Sequence, residues 1–134
     1  MLHARTSPHA LARIGSARGS DTQEGVALHL EQRGGFLGGE RAMELGLRHR
    51  AGGLAHAGAS VEETLRLLQG RAPRRAVVRA VCRAFRGGGL GREVAYLPAF
   101  VDLDRRRLAE PDVIERLLLA GRVSLEALGR LESR

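Results

Sequence analysis

The chain has 134 residues and a net charge of +7, which allows one small domain. Hydrophobic residues make up 43% of it and aromatic residues only 3%, so its core must be built from Leu, Val and Ala, the residues of helix packing. A single cysteine excludes an internal disulfide, and no apolar run approaches the roughly 20 residues of a membrane-spanning helix.

Helical patterns follow one another along the chain, separated by glycine- and proline-containing turns. Residues 1–20 are rich in His, Arg, Ser and Gly and are predicted to form an irregular N-terminal segment. No segment alternates with a period of two, so the fold class is predicted to be all-α, a compact array of about seven helices over residues 21–131 with a frayed tail at 132–134. The predicted helices cover approximately 22–33, 39–57, 61–69, 73–86, 92–108, 111–120 and 124–131.

Three local signals set expectations for these helices. Ser60 and Glu63 form a capping-box pattern, which predicts that a helix begins there. The Gly52-Gly53 pair is expected to weaken the second helix, which can break near that point. Pro98 is expected to kink the helix that runs from 92 to 108.

The most informative stretch is residues 22–27, with the sequence Thr-Gln-Glu-Gly-Val-Ala. Thr22, or Asp21 before it, is able to cap the first free N–H groups of a helix, with Glu24 as a supporting carboxylate. A carboxylate held at a helix start also suits a metal ligand. Local chemistry leaves both interpretations open.

This stretch resembles a signature of the zinc metallopeptidase family that includes the microtubule-associated tyrosine carboxypeptidases. Bacterial members of the family are often named for their Gln-Glu-Gly-Leu motif. Two later blocks are also similar to the family: residues 82–97, which contain an Arg-x-x-Arg-Gly segment and a Tyr-Leu pair, and residues 121–126 at the start of the last helix. The three blocks span most of residues 20–131.

The resemblance implies a zinc-dependent carboxypeptidase domain that acts on the C-terminus of a peptide or protein. The family binds Zn²⁺ through a His-Glu-x-x-x-His motif upstream of the Glu-Gly block, and this chain contains no His-Glu pair. We therefore expect His3 to be the second His of the motif and Glu24 a further metal ligand. The first His and the catalytic Glu would lie before Met1, so that the chain is a fragment of a larger metallopeptidase domain and binds zinc weakly or not at all.

Residues 82–97 also contain the candidate substrate-binding side chains. Arg83 and Arg86 are three residues apart on a helix, and a guanidinium group binds a terminal carboxylate through two parallel hydrogen bonds. Tyr96 resembles the Tyr-Leu position of the family and is a candidate for hydrogen bonding to substrate or to a developing oxyanion. The alternatives are a solvated helix face for the arginines and a core position for the tyrosine.

Other residues are predicted to be structural. Cys82, with apolar neighbours, is expected to be a buried, inert thiol, and His29, His49 and His56 are expected to be packed or surface residues. The sequence predicts a cytoplasmic protein with no membrane contact. It also predicts no specific nucleic-acid partner, because the arginines are spread along the chain with few aromatic residues between them. The competing class is a non-enzymatic basic helical module that binds an acidic partner or nucleic acid.

Overall fold

The computed structural model describes residues 15–86 and 92–132, and this part of the chain contains helices, turns and no strand. The predicted all-α fold class is therefore confirmed, with seven α-helices and one short 3₁₀ helix over the described ranges. The elements are α1 (Gly19–Arg33), α2 (Gly39–His56), α3 (Val61–Leu68), α4 (Arg74–Ala84), the 3₁₀ helix η1 (Arg92–Val94), α5 (Tyr96–Ala109), α6 (Val113–Ala120) and α7 (Leu125–Glu132). None of these helices is long and apolar enough to cross a membrane.

The chain divides into two compact units. The described residues of the first unit are 15–30 and 98–132, and those of the second are 31–86 and 92–97. Each unit has its own apolar core, made almost wholly of aliphatic side chains as the composition predicts. The first core contains Val26, Leu103, Val113, Ile114, Leu117, Val123 and Leu128. The second contains Leu47, Ala51, Leu68, Ala76, Val77, Ala80, Val81 and Ala84.

Helix α1 begins earlier than the sequence indicates. It starts at Gly19, so Asp21 and Thr22 lie inside its first turns and the predicted cap at these residues is wrong. Thr22 is buried rather than capping. The chain before the helix is fixed by Ser16, whose backbone N–H donates to the Arg122 carbonyl oxygen at 3.0 Å. With this contact α1 begins at Gly19, before the predicted start at residue 22, and Glu24 therefore lies in its second turn.

The two predicted interruptions, near Gly52 and at Pro98, have different outcomes. Helix α2 runs unbroken through Gly52, because that glycine serves close packing: a Cβ there would lie 3.1 Å from Glu93 Cβ and from Val94 Cγ1. The predicted helix over 92–108 is divided into η1 and α5, and Pro98 lies in the first turn of α5, which begins at Tyr96. An N–H in the first turn has no helical partner, so proline is tolerated there.

The exposed side of α4 also differs from expectation. Cys82 is exposed, so its predicted burial is wrong. Val81 is 1% exposed and belongs to the core, whereas the next residue points about 100° further round the helix, towards solvent. An apolar neighbour in sequence is therefore a poor guide to burial on an amphipathic helix.

The capping box at α3 is present as predicted. Glu63 donates its backbone N–H to Ser60 Oγ at 3.2 Å, and its carboxylate accepts the Ser60 backbone N–H at 2.8 Å. The Ser60 backbone N–H, and to a lesser extent the Ser60 hydroxyl group, lower the pKa of the Glu63 carboxyl group. A lowered pKa contributes stability above the ordinary pKa of glutamate, and this contribution is lost as the pH falls through the lowered value.

Ser60→Ala is expected to lower the free energy of unfolding by about 1 kcal/mol, because the first turn of α3 loses its side-chain cap. Urea unfolding followed by circular dichroism measures this change. Ser60→Asp keeps a capping oxygen and is the matched control, with a stability close to that of the unchanged chain. Equal loss in both variants would show that the hydroxyl does not act as the cap.

Candidate functional site

Glu24 lies on α1 in the first unit, half-buried, and its carboxylate has no hydrogen-bond or ion-pair partner among the described residues. The next residue fixes its backbone. A Cβ at Gly25 would lie 2.7 Å from the Ala99 carbonyl oxygen and 2.8 Å from its carbon, so α1 and α5 approach backbone to backbone at this point. Gly25 is thus closely packed, and the carboxylate of the adjacent Glu24 has no partner among the described residues.

The described residues do not by themselves fit a zinc site. Over these ranges no group of three or more His, Cys, Asp or Glu side chains is placed to hold a metal ion. His3 lies outside the described residues. In the sequence, none of the five histidines is followed by Glu, and no two of them stand five residues apart as the family motif requires. Glu24 is the one predicted ligand whose position the structure gives.

The second unit contains a cluster of charged side chains around a buried carboxylate. Glu93 Oε2 accepts a hydrogen bond from Arg48 Nε at 2.6 Å, and Glu93 Oε1 faces Arg83 Nε at 3.4 Å. The side chains of Arg48 and Glu93 are 7% and 10% exposed, whereas that of Arg83 is 44% exposed. One carboxylate therefore joins a buried guanidinium group to one that reaches solvent.

Tyr96 completes this group of residues, which we call the Glu93 cluster: Arg48, Arg83, Glu93 and Tyr96. The Arg48 guanidinium carbon lies 5.2 Å from the centre of the Tyr96 ring, within the range of a cation–π interaction. Gly52, one helical turn after Arg48, leaves the space that η1 needs to place Glu93 against α2. The buried Arg48–Glu93 ion pair is therefore held in place by η1, by Gly52 and by the Tyr96 ring.

The structure brings together two of the predicted site residues, Arg83 and Tyr96, through two that the sequence analysis missed. Arg48 lies on the buried side of α2 with Leu45 and Ala51, and Glu93 stands inside the block that resembles the family. A charged residue at an apolar position of a helix is the signal that would have drawn attention to Arg48. Arg86 follows the end of α4, is exposed and makes no ion pair with another described residue.

If Glu24 is a metal ligand and Arg83 and Arg86 bind the substrate carboxylate, the three side chains are expected to line one cavity, and this expectation joins residues of different units. It stays a prediction.

The solvent-facing side of α4 is a second feature of this unit. Residues 70–86 contain six arginines and no Asp or Glu, and all six arginines are exposed. Five of them, all but Arg83, make no ion pair with another described residue. We call the six the α4 basic face: Arg71, Arg74, Arg75, Arg79, Arg83 and Arg86. The arginines are therefore less evenly spread along the chain than the sequence analysis assumes.

Comparison with known proteins gives one match. The family model described as microtubule-associated tyrosine carboxypeptidase matches residues 4–134. No curated protein and no solved structure matches the chain. The family match includes the Glu-Gly pair of α1, the Glu93 cluster and the last two helices. Because it covers nearly the whole sequence, the chain belongs to the microtubule-associated tyrosine carboxypeptidase family.

Proposed function

We propose that this chain is the C-terminal part of a zinc-dependent carboxypeptidase-like domain, and that the chain alone does not hydrolyse peptides. The observation that supports the proposal is the family match over residues 4–134, in a sequence without a His-Glu pair. A carboxypeptidase acts on a peptide or protein in general, and its substrate always presents a terminal carboxylate. The Glu93 cluster offers a partly exposed guanidinium group for such a carboxylate.

In this proposal Arg83 and Arg86 bind the substrate carboxylate, and His3 and Glu24 are the remaining metal ligands. Catalytic zinc sites use three protein ligands and keep one position open for water or substrate. Two candidate ligands are therefore too few. Tyr96 lies in the cluster with its ring against Arg48, which leaves its hydroxyl group to hydrogen bond elsewhere.

Zinc retention tests the metal part of the proposal. We expect the purified 134-residue chain to retain less than one zinc ion per molecule after dialysis, because it offers fewer ligands than a stable site needs. Glu24→Gln is expected to remove the residual binding, whereas Glu62→Gln, on the exposed first turn of α3, leaves it unchanged. Stoichiometric zinc that survives dialysis, measured by elemental analysis, would overturn this account of the metal site.

The α4 basic face favours a second candidate function, a basic module that binds an acidic partner or nucleic acid. Exposed arginines without acidic neighbours attract phosphate and carboxylate groups. No Phe, Tyr or Trp stands on the exposed side of α4 for base stacking, so contacts to nucleic acid would be to phosphates.

If the charge serves no specific partner, DNA binding is expected to be weak, independent of sequence and steeply dependent on salt. A face that contacts four phosphates gives a slope of about −4 in a plot of log affinity against log salt concentration, from roughly −0.9 for each contact. Arg74→Gln with Arg75→Gln is expected to reduce the slope by about 2, and fluorescence anisotropy measures both values. Sequence-selective binding that persists at about 200 mM salt would instead favour the binding-module function.

A further inference from the structure

The Glu93 cluster carries one positive charge more than it needs to balance Glu93. It contains two guanidinium groups and one carboxylate within ion-pair distance of both. The buried Arg48 makes the shorter contact, 2.6 Å against 3.4 Å, and so neutralises most of the carboxylate charge. Arg83 therefore keeps an uncompensated positive charge at a partly exposed position.

The same contacts determine which part of Arg83 is available. Glu93 faces the Nε side of the Arg83 guanidinium group, and it is the only acidic side chain within ion-pair distance of Arg83 among the described residues. Arginine has five N–H donors in a rigid fork, one on Nε and four on the two terminal nitrogens. Contact at Nε leaves the terminal pair for a bidentate interaction with an incoming carboxylate.

Arg48 and Tyr96 explain why Glu93 is able to hold this position. A buried carboxylate is costly unless it is paired, and Arg48 provides the pair from α2. The Tyr96 ring covers the Arg48 guanidinium group, and Gly52 leaves room for Glu93 and Val94. The position of Glu93, which contacts Arg83, is thus fixed by residues of α2 and α5 and by the 3₁₀ helix η1.

We propose that Glu93 is a positioning residue, which with Arg48 orients Arg83 to bind the terminal carboxylate of a peptide. This inference rests on the proposed function, because it specifies how the carboxylate of the substrate is recognised. It does not require zinc, so it is tested in the metal-free chain. Zinc retention and hydrolysis test the proposed function separately.

The test is a titration of the 134-residue chain with N-acetyl-tetraalanine in the presence of a chelator. Nuclear magnetic resonance of the arginine Nε–H groups reports binding, and Arg83→Lys assigns the Arg83 signal by its disappearance. We expect this signal to shift with the free-acid peptide and to stay unchanged with the C-terminal amide. A response that is equal for acid and amide would overturn carboxylate recognition.

Two variants of the same charge change separate a site from a general electrostatic effect. Arg83→Gln is expected to weaken binding of the free acid about tenfold or more, because a bidentate charge-assisted pair is lost. Arg79→Gln removes the same charge one helical turn away, at a residue with no described ion pair, and is expected to change the affinity by about twofold or less. Equal effects of the two substitutions would contradict the proposal.

The double variant Arg48→Met with Glu93→Leu tests positioning itself. It replaces the buried ion pair by apolar side chains without altering net charge, a change that proteins often tolerate. We expect affinity for the free acid to fall about tenfold, because Arg83 regains its rotational freedom. Circular dichroism confirms that the helices persist. Unchanged affinity in the folded double variant would show that Glu93 does not position Arg83.

Discussion

Arg48→Met is expected to lower the free energy of unfolding by about 3–5 kcal/mol, the largest effect that we predict for a single substitution. The variant leaves the Glu93 carboxylate buried with only the longer contact to Arg83. It also removes the cation that the Tyr96 ring covers. Urea unfolding of the two proteins, followed by circular dichroism, measures the difference.

The double variant with Glu93→Leu is the control for this prediction. It removes the carboxylate together with its partner, so no unpaired charge remains, and most of the lost stability is expected to return. A single variant as stable as the unchanged chain would mean that Arg48 and Glu93 do not form a buried pair. A double variant less stable than the single one would mean that the loss arises from packing rather than from charge.

Gly25→Ala is expected to lower the free energy of unfolding by about 2 kcal/mol or more. The new methyl group would meet the Ala99 carbonyl group at 2.7–2.8 Å, and both atoms belong to backbone that cannot turn away. Overpacking of this kind costs about 1–3 kcal/mol and occasionally more. The better helix propensity of alanine offsets only about 1 kcal/mol. The expected loss is therefore large for the addition of a single methyl group.

Gly53→Ala is the matched control, because that glycine also lies within a helix and nothing stands within 4 Å of its added Cβ. Here alanine is expected to raise stability by up to about 1 kcal/mol. The opposite signs of the two substitutions, measured by urea unfolding, identify close helix packing at Gly25. Stabilisation by both would rule out the backbone approach of α1 to α5.

The sequence predicts the fold where the determining contacts are local. Ser60 and Glu63 are three residues apart, and their reciprocal hydrogen bonds follow from that spacing alone. The fold class follows from periodicity and composition in the same way. The start of α1 could not be predicted, because it depends on Ser16 contacting the backbone at Arg122, a partner remote in sequence.

In the candidate site, too, the residues found from the sequence depend on local motifs, and those that were missed depend on contacts remote in sequence. Arg83 and Tyr96 are found from a motif and from the chemistry that their side chains allow. Arg48 and Glu93 are 45 positions apart, and only the packing of η1 on α2 shows that they form a pair. The burial of Cys82 was wrongly predicted for a related reason, since which side of α4 meets the core is decided by α2 and not by the neighbours of the residue in sequence.

A peptide-cleavage assay tests the central claim most directly. The 134-residue chain is incubated with zinc and a peptide that has a free C-terminal carboxylate, and mass spectrometry follows the peptide. We predict that the peptide mass stays unchanged, because the chain lacks the His-Glu pair on which the family motif depends. Zinc-dependent loss of the C-terminal residue, abolished by Glu24→Gln, would show that this chain is a complete carboxypeptidase and would contradict the account.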